Sequence, residues 1–290
     1  MRTFDDILRW FNGVAAALLL LCGEEVPGRT AFLFLHLGAF ALLPPLTRRL
    51  GGRGFTWRAL LVRAALAALF LPLVFSEMGT LLPWVNPAPL EWHALQGDLA
   101  LLGGATIWQV TAPLRQGFLS DLLMLCYATF YFLPLLLFLR LWARGDLAGS
   151  RQLLVAVTFG FTASYLGYLV TPVLAPWLVA PGLDMEEGGS VYRFLFARLD
   201  AMELNKRDCF PSGHTWLTLT VLHLAARRAP RFGLVLALPA AGLILATVTL
   251  RFHYLVDIFA GALLYYPALR FALWLDREGG GWNGPALPST

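Results

Sequence analysis

The stretch Phe232–Leu250 reads FGLVLALPAAGLILATVTL and contains no charged side chain. A helix needs about 20 largely apolar residues to cross the hydrocarbon core of a bilayer. The stretch has that length and that character, and Arg231 and Arg251 stand directly at its two ends. It therefore predicts a transmembrane helix with a polar boundary on each side.

The rest of the chain has a similar composition. Of its 290 residues, 58% are hydrophobic and 14% are charged, whereas a soluble domain carries roughly 25% charged residues. We expect an all-α, polytopic transmembrane helix bundle with about eight spans, with six or seven also possible. The predicted spans are Ile7–Cys22, Thr30–Thr47, Trp57–Ser76, Phe118–Arg140, Gln152–Val173, Gly213–Ala226, Phe232–Leu250 and Tyr254–Leu275.

These spans divide the chain into four parts. Residues 1–76 are expected to form N-terminal transmembrane helices and residues 77–117 an outer interfacial loop. Residues 118–276 form the helix-bundle core, and residues 277–290 a flexible tail.

Arginine is concentrated in the segments that an even number of spans places on the same side as the termini. Because basic loops stay in the cytoplasm, we expect both termini to be cytoplasmic. No basic run is dense enough to predict nucleic-acid binding.

A polar segment, KRDCFPSGH over residues 206–214, precedes an apolar helix. The first N–H groups of a helix lack partners and carry the positive end of its dipole, so they favour an anion. Ser212 can add a hydroxyl donor, and Gly213 lets a phosphate approach the backbone closely. His214 would then stand beside the anion, with Lys206 and Arg207 just upstream. The simpler alternative is a serine cap followed by a surface histidine.

The second polar segment, RFHYLVD, covers residues 251–257. His253 and Asp257 are four residues apart, so on a helix they would share one face. An aspartate inside a span is costly and needs a partner. A carboxylate that accepts the imidazole Nδ1–H leaves Nε2 free as a nucleophile. The alternative is a buried ion pair that locks two helices. Arg251 would face the same aqueous region and could bind phosphate oxygens.

Together the two segments predict phosphoryl transfer. His253 would attack phosphorus while His214 gives a proton to the leaving oxygen, the two imidazoles facing each other across a pocket the size of one phosphate. The phosphate oxygens would be held by Lys206, Arg207, Ser212, Gly213 and Arg251. Because no cluster of carboxylates offers a site for a hard cation, we expect neither a metal nor another cofactor.

The two segments resemble the second and third signature motifs of the phosphatidic acid phosphatase type 2 superfamily. The longer stretches Asp208–Thr215 and Arg251–Gly261 resemble its inositol phosphorylceramide synthase-like branch. The resemblance implies a nucleophile at His253, an orienting carboxylate at Asp257 and an acid at His214. It also implies phosphate contacts for Ser212 and Gly213.

The sequence departs from this pattern in two places. The third motif usually carries Ser-Arg before the histidine, where this chain has Ala246 and Thr247. The first motif, a lysine followed at a distance by Arg-Pro, is not recognisable. These departures leave the composition of the phosphate clamp open.

Three functions follow from these residues. The leading expectation is an integral-membrane lipid phosphatase that works through a phosphohistidine. The alternative is a phosphotransferase that moves a phospho-headgroup to a lipid or glycan hydroxyl, and a transporter is a third possibility. We expect a phospholipid or lipid phosphate as substrate, and a multi-pass location in a bacterial inner membrane with the site facing the periplasm or exterior. The sequence predicts no oligomeric state.

Overall fold

The computed structural model describes residues 2–52, 54–88, 90–179 and 188–278. The chain is all-helical, with 82% helix and no strand within these ranges. The α-helices are α1 (Arg2–Leu21), α2 (Arg29–Gly51), α3 (Trp57–Val85), α4 (Glu91–Leu101), α5 (Ile107–Val110), α6 (Gly117–Ala128), α7 (Leu133–Ala143), α8 (Leu147–Val170), α9 (Pro176–Val179), α10 (Ser190–Met202), α11 (Gly213–Arg228), α12 (Pro230–Thr249) and α13 (Leu255–Glu278). Of the predicted tail, residues 279–290 lie outside the described ranges.

Five of the described helices, α2, α3, α8, α12 and α13, are long and apolar enough to cross a membrane. The bent pair of α6 and α7 raises the number to at most six. The expected eight spans are therefore not confirmed, because α1 carries Asp5, Asp6 and Arg9 in its first half and α11 has only 16 residues.

The outer surface of the bundle is apolar. The side chains of Leu69, Leu234, Leu238 and Leu263 are each at least 75% exposed. A soluble monomer rarely exposes large contiguous apolar patches, whereas lipid tails solvate them without cost. The apolar helices and this surface make the chain a membrane protein.

The predicted span Phe118–Arg140 is broken in the structure. The segments Gly117–Tyr131 and Leu133–Ala143 form an angle of 56°. Pro134 stands in the first turn of the second helix, where its missing N–H interrupts the hydrogen bonds of a continuous helix. At the bend, the side chain of Tyr127 is buried, whereas Tyr131 in the following 3₁₀ turn is 49% exposed.

Helix α11 occupies the centre of the bundle and packs against α7, α8, α12 and α13. Leu217, Val221 and Leu224 of α11 are each 1% exposed. Because neighbouring helices cover α11, its length need not match the thickness of the bilayer. The neighbouring helices therefore hold this short helix in place, and with it the PSGH sequence at its N-terminus.

Helix α3 continues through Val85, so residues 77–85 are helical and do not belong to an outer loop. Glu77 is consequently buried inside the N-terminal helices. His36 Nε2 lies 3.0 Å from Glu77 Oε1, and His36 Nδ1 lies 2.7 Å from Asn12 Oδ1. This buried polar chain links α1, α2 and α3.

Two buried ion pairs lie at the end of the bundle away from the start of α13. Arg63 Nη2 is 2.7 Å from Asp5 Oδ2, and Arg151 Nη2 is 2.7 Å from Asp276 Oδ1. Removing one partner of such a pair leaves an uncompensated buried charge and costs about 3–5 kcal/mol. These pairs fix the helix ends opposite the PSGH and RFHYLVD segments.

Candidate active site

The turn over residues 250–254 joins α12 to α13 and carries His253. Arg251 has φ 67°, a left-handed conformation that ends α12. The N–H groups of Phe252 and His253 both donate to the carbonyl of Thr247, over 2.8 and 2.9 Å. These bonds fix the backbone of His253, whose side chain is buried.

Asp257 holds the imidazole of His253 from the first turn of α13. His253 Nδ1 lies 3.3 Å from Asp257 Oδ2, and the same oxygen accepts the N–H of Tyr254 over 2.8 Å. His253 precedes α13 and is not part of it, so the expectation of two residues on one helical face is wrong. The contact forms because Asp257 caps the start of its own helix and its carboxylate therefore points back to the turn.

Ser212 is the N-terminal cap of α11. Its Oγ accepts the N–H of Thr215 over 3.2 Å, and its own N–H donates to the Asp257 carbonyl over 3.1 Å. The side chain is fully buried, so it supports the helix and the neighbouring segment. These two hydrogen bonds match the alternative interpretation of Ser212 as a cap.

Gly213 lies where α8 approaches α11. A Cβ at this position would stand 2.5 Å from the hydroxyl oxygen of Tyr168. The absence of a side chain therefore permits close packing of the two helices, which explains the glycine without a bound phosphate.

His214 meets His253 directly. His214 Nδ1 lies 3.1 Å from His253 Nε2. If His253 Nδ1 donates its proton to Asp257, its Nε2 is an acceptor and His214 Nδ1 is the donor. The ring of His214 packs against Phe130 and Tyr127, with centroids 4.3 and 5.0 Å away. The two motifs thus converge on one pair of imidazoles.

The expected phosphate-sized space between the rings is closed in this structure. The two nitrogens are hydrogen-bonded and the ring centroids are 5.3 Å apart. A phosphate group that enters between them must first break this hydrogen bond. Nε2 of His214 is buried without a hydrogen-bond partner in the described part of the chain.

Asp98 of α4 supports the same turn from the interfacial segment. Its two carboxylate oxygens accept the N–H groups of Leu255 and Val256, each over 3.0 Å. The side chain of Asp98 is completely buried. It therefore caps the N-terminus of α13 from a position 157 residues earlier. Sequence reasoning gave Asp98 no role, because no local pattern connects residues so far apart.

An open cavity, whose empty volume of about 440 Å³ includes space open to solvent, adjoins the two histidines. Its walls combine aromatic and carboxyl side chains. The lining residues are Tyr127, Ala175, Trp177, Leu178, Phe196, Leu199, Asp200, Glu203, Asn205, Lys206, Asp208, His214, Phe252 and His253.

Of the five residues predicted to hold phosphate, only Lys206 is among the described residues that line this cavity. Its ammonium lies 2.5 Å from Asp200 Oδ1. The backbone N–H of Arg207 donates to Asn205 Oδ1 over 3.0 Å. Arg251 is buried beside the hydroxyl of Tyr192, where burial raises the pKa of Tyr192 and the guanidinium opposes that rise. The structure thus brings His214, His253, Asp257 and Lys206 together.

Cys209, His253 and Asp257 form a group whose possible metal-ligand atoms lie within 4.8 Å of one another. Burial raises the pKa of the Cys209 thiol well above its ordinary value, and that thiol donates to the Phe252 carbonyl over 3.1 Å. A protonated thiol is a poor metal ligand. The hydrogen bonds of the turn account for the position of Cys209, so these residues do not fit a metal site well.

A family model described as the PAP2 superfamily matches residues 96–271. The chain belongs to the PAP2 superfamily. No curated protein and no solved structure matches the chain significantly. The matched region includes Asp98, His214, His253 and Asp257 and leaves out α1 to α3.

PAP2 superfamily proteins are generally phosphatases and phosphotransferases. Membership therefore suggests a phosphatase or phosphotransferase, and it points to lipid-type substrates for a chain embedded in the membrane.

Proposed function

We propose that this PAP2 superfamily member transfers a phosphoryl or phospho-headgroup from a lipid phosphate ester through a phosphohistidine on His253. The observation that carries the proposal is the position of His253, between the Asp257 carboxylate at 3.3 Å and the His214 ring at 3.1 Å. Asp257 fixes the imidazole tautomer and leaves Nε2 as the nucleophile. His214, whose Nδ1 lies 3.1 Å from that Nε2, is the proton donor once the phosphate has displaced the hydrogen bond between the two rings.

In the first half-reaction, the Nε2 lone pair of His253 forms a bond to phosphorus, and the bond from phosphorus to the lipid oxygen breaks. The leaving oxygen takes a proton from His214, which has been protonated from water. In the second half-reaction, His214 accepts a proton from water or from an acceptor hydroxyl. That oxygen attacks phosphorus, and the P–N bond electrons return to His253. The chemistry needs no metal.

Hydrolysis of a lipid phosphate ester is the primary activity that we propose. Transfer of a phospho-headgroup to a lipid or glycan hydroxyl is the second candidate, as in inositol phosphorylceramide synthase-like enzymes. The carboxyl-rich cavity supports this second candidate, because Asp200, Glu203 and Asp208 disfavour a dianionic phosphate monoester. A diester carries one phosphate charge less. We place the site on the periplasmic or outer face of a cell membrane, with both termini in the cytoplasm.

The test uses full-length protein in detergent with EDTA and phospholipids labelled at phosphorus. We expect acid-labile, base-stable label on the protein, together with release of phosphate or a phospho-headgroup. His253→Ala should abolish both labelling and turnover. His223→Ala is the matched control, because His223 lies on α11 beside Tyr265 and Tyr266, away from the cavity. Unchanged turnover in His253→Ala would refute the proposal, and product analysis with and without acceptor alcohols separates hydrolysis from transfer.

A further inference from the structure

The cavity beside His253 carries more acidic groups than basic ones. Asp200, Glu203 and Asp208 line it. Among the described residues, Lys206 is the one lysine or arginine that also does so. The Lys206 ammonium is already engaged, since it lies 2.5 Å from the Asp200 carboxylate and 2.8 Å from the Asp200 carbonyl oxygen. Within the described part of the chain, the carboxyl groups of Glu203 and Asp208 therefore face the cavity without a cation of their own.

The pKa values of the Glu203 and Asp208 carboxyl groups indicate the same deficit of positive charge. Burial and then the neighbouring Glu203 raise the pKa of Asp208 to about 8, while Lys206 opposes the rise. Burial also raises the pKa of Glu203, although a hydrogen bond from the Tyr131 hydroxyl opposes this shift. A cation bound in the cavity would reverse both shifts by favouring the charged carboxylates.

Aromatic rings also line the cavity. Phe252 stacks on Tyr127 with centroids 4.3 Å apart, and Trp177 meets Phe196 edge-on at 5.0 Å. The Lys206 ammonium lies 5.7 Å from the centroid of the Trp177 ring. The chain's own ammonium is thus held by a carboxylate and an aromatic face, which are the features that recognise organic ammonium groups.

Asn205 adds a donor to this wall. It lines the cavity, its side chain is 2% exposed, and its Nδ2 has no hydrogen-bond partner among the described residues. A buried amide donor without an acceptor is costly unless a ligand supplies one. The cavity therefore offers an unsatisfied donor that suits a phosphate or ester oxygen, in addition to carboxyl and aromatic groups that suit a cation.

We propose that the cavity binds the ammonium headgroup of a zwitterionic phosphodiester lipid, of the phosphoethanolamine or phosphocholine type, with the phosphate at His253. This inference rests on the proposed function and names the substrate class of the same site. Glu203 and Asp208 attract the ammonium, and the aromatic side chains that line the cavity provide apolar contacts. In the first half-reaction, the bond from phosphorus to the diacylglycerol oxygen breaks, that oxygen takes the proton of His214, and the headgroup stays on phosphorus.

The experiment compares lipids with matched acyl chains in mixed micelles containing EDTA. Phosphatidylcholine and phosphatidylethanolamine carry the ammonium, phosphatidylglycerol and phosphatidylinositol carry hydroxyls, and phosphatidic acid is the monoester. We expect kcat/KM for the two ammonium lipids to exceed the values for the other three by about tenfold or more. Phosphocholine should also inhibit turnover more strongly than glycerol 1-phosphate does.

Two variants test the residues. Glu203→Gln and Asp208→Asn should each lower the ratio of kcat/KM for phosphatidylcholine to that for phosphatidylglycerol by about threefold to tenfold. Glu278→Gln is the matched control, because Glu278 is exposed at the far end of α13. The inhibition comparison uses the unaltered protein, so it decides the matter even where a variant fails to fold.

The outcomes separate this inference from the proposed function. Labelling of His253 with equal or greater turnover of phosphatidylglycerol, phosphatidylinositol or phosphatidic acid would overturn the ammonium site and leave the phosphohistidine in place. A preference that appears only after a divalent cation is added would likewise overturn it. Absence of labelling by every lipid would count against the proposed function itself.

Discussion

The hydroxyl oxygen of Tyr168 lies 2.5 Å from the position that a Cβ on Gly213 would occupy. Gly213→Ala should therefore force α8 and α11 apart, with a loss of about 1–3 kcal/mol of stability from overpacking. We expect a lower melting temperature in detergent and reduced activity. The next atom of the Tyr168 ring, Cζ, is 3.8 Å from the same position, so removal of the hydroxyl alone leaves room for a methyl group.

The double variant Gly213→Ala/Tyr168→Phe should consequently recover most of the stability and activity lost in Gly213→Ala. The single Tyr168→Phe variant is the control. If Gly213 instead serves mainly to let a phosphate approach the backbone, Tyr168→Phe will not restore activity, and the packing explanation fails.

Asp98 is predicted to position the turn that carries His253. Asp98→Ala removes the acceptor for two N–H groups at the start of α13, at a cost of about 1–2 kcal/mol. Displacement of the turn should also lower kcat by about 10- to 100-fold, with a smaller effect on KM. Asp98→Asn keeps one acceptor oxygen, so its stability and its kcat should lie between those of the unaltered protein and those of Asp98→Ala. Thermal unfolding and steady-state kinetics measure both effects.

Gln96→Ala is the control for Asp98, since Gln96 is exposed on the same helix. A variant of Asp98 that lost stability but kept the wild-type kcat would show that the carboxylate supports the fold without positioning the nucleophile.

The pH dependence of kcat/KM should reflect the burial of His253. Burial lowers the pKa of His253 to about 4, so its Nε2 stays unprotonated and nucleophilic throughout the neutral range. The acidic limb should lie near pH 4, where the His253 ring binds a proton. The general-acid role of His214 adds a fall toward higher pH, where that ring, whose pKa burial lowers, loses its proton. An acidic limb near 6.5, the ordinary value for histidine, would contradict a buried, neutral nucleophile. The measurement requires initial rates from about pH 3.5 to 8 in a detergent whose headgroup does not change its charge over this range.

Much of the site could be predicted from local sequence. The KRDCFPSGH and RFHYLVD segments identified His214, His253 and Asp257, because these residue types at the ends of apolar runs have few structural uses. The apolar stretches also located the five long helices α2, α3, α8, α12 and α13. Span number was less accessible, since hydropathy cannot distinguish α11, which other helices cover, from a helix that faces lipid.

The amino-acid sequence by itself determined the helical membrane class and the spacing of His253 and Asp257, because hydropathy and short-range spacing are local properties. The contact of His214 with His253 depends on how two helices pack. The tertiary structure decided where the charges lie. It turned Arg251 toward Tyr192, assigned Ser212 and Gly213 to helix capping and packing, and brought Asp98 to the start of α13. It also brought Asp200, Glu203 and Asp208 to one cavity. These relationships depend on how distant helices pack, because burial and charge compensation arise only when segments far apart in the chain are brought together.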